Sequence, residues 1–135
     1  MMTSTSAPKK FAPKLAFSAA ESRGFALLET AFGDTLWEIL KAYIRGGDHA
    51  CEKLQEATSC AHWLEAARQA LKIASLAADL EFRVAANAAR AFATAVYEKQ
   101  NAHACRNAAQ MAVLEFEKTK LLIESRYPGL VETNL

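Results

Sequence analysis

The three histidines and three cysteines of this 135-residue chain form pairs, because each histidine lies two positions from a cysteine. The pairs are His49 with Cys51, Cys60 with His62, and His103 with Cys105. Imidazole and thiolate are ligands of zinc, copper and haem iron, so these six residues are candidate metal ligands. Residues two positions apart on a helix point in nearly opposite directions, so no pair can hold one ion from a single helical face. A site therefore requires ligands from different helices or subunits, for example one from the second pair and one from the third.

None of the six residues lies in an established metal or catalytic motif. The CxxC, CxxCH and HExxH spacings do not occur, and the lack of ExxH argues against a ferritin-like di-iron bundle. No glycine-rich phosphate loop or nucleophile elbow accompanies a Cys-His dyad. We therefore expect no catalytic residues and no cofactor. A zinc-, copper-, haem- or thiol-redox-binding bundle that uses the His/Cys pairs is the alternative.

Composition and charge restrict the class of protein further. The formal net charge is only +1, which argues against nucleic acid as a partner. No apolar run approaches the roughly 18 residues of a transmembrane helix, and no signal-peptide core precedes Phe17. The odd number of cysteines indicates reduced thiols rather than a disulfide framework. These features predict a cytoplasmic protein without a transmembrane segment.

The stretch from Ser59 to Gln100 is the main structural element that the sequence predicts. It is rich in alanine, contains no Gly or Pro, and its polar residues recur about every 3.7 positions, close to the α-helical period. These polar residues are Glu65, Arg68, Lys72, Ser75, Asp79, Arg83, Asn87, Arg90, Thr94 and Glu98. The unbroken stripe predicts one long central helix, and a turn near Ser75 is the alternative for a compact monomer.

Other helices are predicted on both sides of this stretch. A capping box at Ser18 begins an apolar stripe that keeps its phase across Gly33, which favours one long or kinked helix ending at Gly46-Gly47. A short helix follows, with an end at Thr58-Ser59. The last helix should run from Ala102 to Arg126, because Asn101 can cap it and Tyr127-Pro128-Gly129 stops it.

These elements predict an all-α fold, an antiparallel bundle of three or four helices with one long alanine-rich central helix. The predicted domain organisation is a disordered basic N-terminal arm (1–16), the bundle (17–127) and a flexible C-terminal tail (128–135). A helix of about 60 Å needs cover from another subunit, so we expect a homo-oligomer.

Five residues are candidates for contacts with a protein partner. Trp37 and Trp63 are suited to anchor an interface, because a large aromatic ring buries much area. Arg83, Asn87 and Arg90 lie at helical spacing on one polar face, where they could bind phosphate or an acidic partner or form pairs within the helix. The sequence therefore predicts a non-catalytic protein that acts through protein–protein interaction or self-assembly, as a scaffold or adaptor.

The region from Phe25 to Glu117 loosely resembles the phasins, helical proteins that coat bacterial polyester granules. The resemblance rests on Gly- and Pro-poor amphipathic helices, abundant alanine, and a short break before a helix that begins Ser59-Cys-Ala-His-Trp-Leu-Glu-Ala. The chain departs from the phasins in its His/Cys pairs and in having less Gln and Lys. The resemblance implies peripheral binding to a granule or lipid surface as a further alternative.

Overall fold

The chain forms helices throughout most of residues 19–130, the part that this computed structural model describes, with side chains from Arg23 onward. The elements are α1 (Ala19–Phe32), a 3-10 turn (Gly33–Thr35), α2 (Leu36–Ser59), α3 (Trp63–Asp79), α4 (Arg83–Tyr97) and α5 (Ala102–Arg126). Residues 19–130 contain no strand, and the predicted all-α bundle is confirmed. The predicted arm (1–16), the cap at Ser18 and residues 131–135 of the predicted tail lie outside the described residues.

Helices α2 to α5 form a four-helix bundle. Three-residue turns join α2 to α3 and α3 to α4, and a four-residue connection joins α4 to α5, so each helix is antiparallel to the one before it. The fourth helix, α5, returns to pack against α2 and closes the ring. Alanine fills most of the buried positions of α3 and α4, which lets the two helix backbones approach to the short end of the usual 8–10 Å range.

The predicted single helix from Ser59 to Gln100 is wrong. It is divided into α3 and α4 by the turn Leu80-Glu81-Phe82, five residues beyond the alternative break at Ser75. The turn lies between Asp79 and Arg83, whose spacing of four is also one helical step, so the polar stripe stays in phase across the break. For this reason the periodicity alone could not reveal the turn.

The turns that end α2, α3 and α4 share one hydrogen-bonded structure that does not use glycine. Their central residues, Ala61, Glu81 and Lys99, have φ values of 57°, 64° and 57°. In each turn the following amide donates to the carbonyl of an alanine five residues earlier, as when Phe82 N donates to Ala77 O at 2.9 Å. This is a Schellman motif, which glycine normally favours because it lacks a Cβ.

The glycine pair Gly46-Gly47 does not end a helix, contrary to the sequence-based prediction. Both glycines lie inside α2, which continues to Ser59 and includes the predicted short helix. A Cβ atom on Gly47 would lie only 2.1 Å from Cε1 of Phe116, on α5. Glycine is needed here because α2 and α5 pack closely, not because the chain turns.

Helix α1 crosses the end of the bundle at which the α3–α4 turn lies. The ring of Phe25 packs edge-on against Phe82 and against Tyr127, with centroid distances of 5.9 and 6.0 Å. The ring of Trp37 also packs edge-on against Tyr127, at a centroid distance of 6.4 Å. Helices α3 and α4 are shorter than α2 and α5, and α1 covers the end that they leave open.

One buried polar network links α2 to α5 beside this end. Tyr43 OH lies 2.6 Å from Thr119 Oγ1, which donates its own proton to the Phe116 carbonyl at 2.6 Å. The Tyr43 hydroxyl must therefore be the donor to Thr119. Burial raises the pKa of Tyr43, so the hydroxyl keeps its proton at all ordinary pH values.

Candidate functional site

The outward face of α5 carries exposed residues at the alternating spacing of four and three that is typical of a coiled-coil seam. These residues, here called the outer seam, are Asn107, Met111, Leu114, Lys118, Leu121 and Ser125. The side chains of Met111, Leu114 and Leu121 are 48%, 46% and 47% exposed. The three apolar side chains form a line about 15 Å long, from the helical rise of 1.5 Å per residue.

The opposite face of α5 has the same spacing and is buried in the bundle. Its residues are Cys105, Ala109, Ala112, Phe116, Thr119 and Ile123. The two sets are offset by two positions, which places them roughly 200° apart around the helix. Helix α5 therefore has two apolar faces, of which the bundle covers one. A helix with apolar residues on opposite sides is typical of one packed between neighbours.

Lys118 in the outer seam and Lys120 beside it are paired with carboxylates of the same chain. Lys118 Nζ lies 3.2 Å from Glu115 Oε2 on the same helix. Lys120 Nζ lies 2.8 Å from Asp48 Oδ1 on α2 and 3.5 Å from Glu117 Oε1. The carboxylates raise the pKa of Lys120 despite the opposing effect of burial. A partner that covers the seam would therefore contact lysines whose charges are balanced by nearby carboxylates, rather than a surface of one charge.

The six candidate metal ligands occupy different parts of the bundle. His49 and Cys51 lie in the middle of α2, whereas Cys60 and His62 lie in the α2–α3 turn. That turn is at the same end of the bundle as His103 and Cys105, because Trp63 packs against Arg106 of α5. Within residues 19–130, no group of three or more His, Cys, Asp or Glu side chains could hold a metal ion. A zinc, copper or haem site that is shared between subunits stays a prediction.

The three thiols differ strongly in accessibility. Cys51 is buried, and burial together with Glu117 and Asp48 raises its pKa to about 12. Cys105 is also buried, and its Sγ donates to the Gln100 carbonyl at 3.6 Å. Cys60 is exposed in the α2–α3 turn. A thiol with so high a pKa as Cys51 is not a nucleophile at neutral pH, so thiol chemistry of the native protein would depend on Cys60.

The predicted interaction residues make contacts within the chain. Trp63 is half-buried, with the Arg106 guanidinium 5.6 Å from its ring centroid. Arg83, Asn87 and Arg90 are exposed on α4. Arg90 Nη1 donates to Asn87 Oδ1 at 3.3 Å, and Arg83 Nη2 lies 3.5 Å from Glu81 Oε1. Arg90 therefore pairs within α4, whereas Arg83 pairs with Glu81 of the α3–α4 turn. Partner binding by these residues stays a prediction.

Two grooves on the surface of the described residues are open to solvent. One of about 320 Å³ lies between α2 and α5 and is lined by Gln55, Thr58, Arg106, Gln110 and Val113. The other lies between α2 and α3 and is lined by residues that include Gly46, Leu71, Lys72 and Leu76. Sites for small molecules usually enclose most of the ligand surface, which neither open groove can do.

Sequence reasoning did not single out Met111, Leu114 or Leu121, although the spacing of the outer seam is visible in the sequence. No helix among the described residues is both long and apolar enough to span a membrane. Comparisons with protein-family models, curated proteins and solved structures find no match to this chain.

Proposed function

We propose that this protein is a non-catalytic helical bundle that self-associates through the outer seam of α5. The observation that carries the proposal is the line formed by Met111, Leu114 and Leu121, each about half exposed, on the side of α5 that faces away from the core. Apolar side chains at coiled-coil spacing bury best against another helix with the same spacing. A second copy of α5 provides such a helix.

An antiparallel pair of α5 helices fits the seam better than a parallel pair. With its centre at Phe116, the antiparallel pair places Met111 opposite Leu121 of the second copy and Leu114 opposite Lys118. The lysine stem can then cover the leucine while its ammonium group reaches solvent. A parallel pair would instead place the two Lys118 ammonium groups side by side, so each would face a like charge despite its own pairing with Glu115. Two-fold pairing of this kind is also the commonest form of oligomer.

The size of the seam limits the strength of the association. Stable interfaces bury about 800 Å² on each partner, and a line of three half-exposed side chains supplies only part of this area. The expected dimer is therefore reversible and depends on concentration. This behaviour suits an adaptor or an assembly unit that responds to its own abundance.

Oxidation of Met111 by peroxide tests the proposal at a single residue. Association should slow the formation of the Met111 sulfoxide as the protein concentration rises, because the thioether sulfur becomes covered. Leu114→Glu should abolish this protection by placing a charge in the seam. Leu64→Glu is the matched control, since Leu64 is 70% exposed at the start of α3 and lies outside the seam. Equal oxidation rates at all concentrations would contradict the proposal.

Disulfide crosslinking then tests the orientation. In a Cys60→Ser background, a chain with Asn107→Cys and a chain with Ser125→Cys should crosslink to each other, because an antiparallel pair brings these two positions together. Preferential crosslinking of the Asn107→Cys chain to itself would indicate a parallel pair.

A further inference from the structure

We propose that α1 is an exchangeable helix, so that the bundle end covered by α1 can bind α1 of a second copy instead of its own. The inference does not depend on the apolar residues of the outer seam, because it concerns α1 and the end of the bundle that α1 covers. It rests on three features of the described residues: the hinge between α1 and α2, the aromatic site that holds Phe25, and the polar clamp at Glu29.

The hinge is the exposed 3-10 turn from Gly33 to Thr35. Gly33 has a φ of +54°, and a Cβ atom at this position would meet nothing within 4 Å. Glycine is therefore needed for its backbone conformation and not for lack of space. The apolar stripe of α1 continues in phase into α2, so a change at this one turn would convert residues 19–59 into one continuous helix.

The site that α1 occupies is apolar and would be exposed if α1 left. Among the α1 side chains from Arg23 onward, Phe25 and Leu28 are buried, and Phe25 contacts the rings of Phe82 and Tyr127. Straightening at Gly33 would withdraw both side chains and expose the aromatic site. A second copy of α1 restores every one of these contacts, because it is the same helix. Exchange therefore costs the rearrangement of the hinge and the entropy lost when two chains associate, and it loses no contact at the aromatic site.

The polar clamp makes this contact specific for α1. Arg126 Nε and Nη2 donate to the two carboxylate oxygens of Glu29, at 3.2 and 3.1 Å. Tyr127 OH also donates a short hydrogen bond to Glu29. These donors lower the pKa of Glu29, so the carboxylate is charged at neutral pH. The clamp joins α1 to α5 through one ion pair, and that pair can be reversed in charge.

Charge reversal in two separate chains tests the exchange. One chain carries Glu29→Arg and the other carries Arg126→Glu, so that each monomer alone brings like charges together at the clamp. When the chains are mixed, reciprocal exchange of α1 restores two opposite-charge clamps. Light scattering should then detect a heterodimer of twice the single-chain mass that neither chain forms alone. All chains also carry Leu114→Glu, which removes association through the outer seam.

The control is one chain with both Glu29→Arg and Arg126→Glu, which restores the clamp internally and should be a folded monomer. A mixture that stays monomeric while this control folds would overturn the proposal. Dimers of similar amount in each chain alone would overturn it as well, because they would not depend on the clamp. Chains that fold only when mixed would support it.

The hinge itself gives an independent readout in the otherwise unchanged Leu114→Glu chain. Gly33→Ala disfavours the positive φ and favours the continuous helix, so it should raise the fraction of dimer. Gly24→Ala is the matched control, because it lies within α1 and its added Cβ also meets nothing within 4 Å. An equal dimer fraction in the two variants would contradict the role of the hinge.

Discussion

Replacing the two adjacent glycines of α2 by alanine, one at a time, should change stability in opposite directions. Each replacement removes a glycine from a helix interior, which by itself stabilises a helix by about 0.5–1 kcal/mol. A Cβ on Gly46 would lie 3.3 Å from Leu76 Cδ1, the tip of a flexible side chain. Gly46→Ala should therefore raise the free energy of unfolding by up to about 1 kcal/mol.

Gly47→Ala should instead lower the free energy of unfolding. Its Cβ would lie 2.1 Å from Cε1 and 2.2 Å from Cζ of Phe116, whereas carbon atoms in contact are separated by about 3.5–4.0 Å. The ring must therefore move by more than about 1 Å. It is fully buried and lies 5.2 Å from the ring of Tyr43, so it has little room to move. Overpacking of this kind costs about 1–3 kcal/mol, which exceeds the gain of about 0.5–1 kcal/mol from removing a helix glycine and leaves a net loss of about 1 kcal/mol.

Urea unfolding of both variants, followed by circular dichroism, gives the comparison. In a Phe116→Leu background the Gly47→Ala loss should shrink, because the ring edge that it overlaps is gone, with a coupling of about 0.5–3 kcal/mol. Equal stabilisation by both alanines would refute the reasoning, since α2 and α5 could not then be as close as the structure places them.

Four further expectations follow from the described contacts. Ala61→Gly, Glu81→Gly and Lys99→Gly should each raise the free energy of unfolding by about 0.5 kcal/mol, because glycine adopts the positive φ without strain; unchanged thermal midpoints would contradict the turn geometry. Tyr43→Phe should lower the free energy of unfolding by about 1 kcal/mol, because the hydrogen bond to Thr119 is lost. A double-mutant cycle with Thr119→Val measures the coupling between the two side chains. Because Arg126 and Tyr127 hold the pKa of Glu29 below 4.5, stability should fall as pH decreases through the folded pKa, and Glu29→Gln should reduce that slope in acid titrations. A thiol reagent should label Cys60 in the native protein and Cys51 only after unfolding, and rapid native labelling of Cys51 would contradict its burial.

Helix type and the last helix were predictable because their signals are local. The alanine-rich composition and the helical period indicated α-helix from Ser59 to Gln100, and Asn101 caps α5 by accepting from Ala104 N at 2.8 Å. The turn at Glu81 was not predictable from these signals. Its Schellman motif uses a non-glycine residue, and the three-residue turn preserves the phase of the polar stripe.

The role of Gly46-Gly47 and the exposure of the outer seam also could not be predicted from neighbouring residues in the sequence. Two adjacent glycines usually indicate a turn. At position 47, however, glycine is required because the ring of Phe116 leaves no room for a Cβ atom. Phe116 is far away in the sequence and becomes a neighbour only in the folded bundle. The apolar residues of α5 were visible, but which of its two faces the bundle covers depends on the packing of α5 against α2 and α4. Tertiary packing decides both features.

Light scattering over a dilution series of the natural sequence and of Leu114→Glu, measured side by side, tests the outer seam most directly. The natural sequence should approach twice the single-chain mass of 14.7 kDa at high concentration and return towards 14.7 kDa on dilution. Leu114→Glu should stay near 14.7 kDa over the same range, with unchanged helical content. A natural sequence that is monomeric at every concentration, or a Leu114→Glu variant that associates equally well, would contradict self-association through α5.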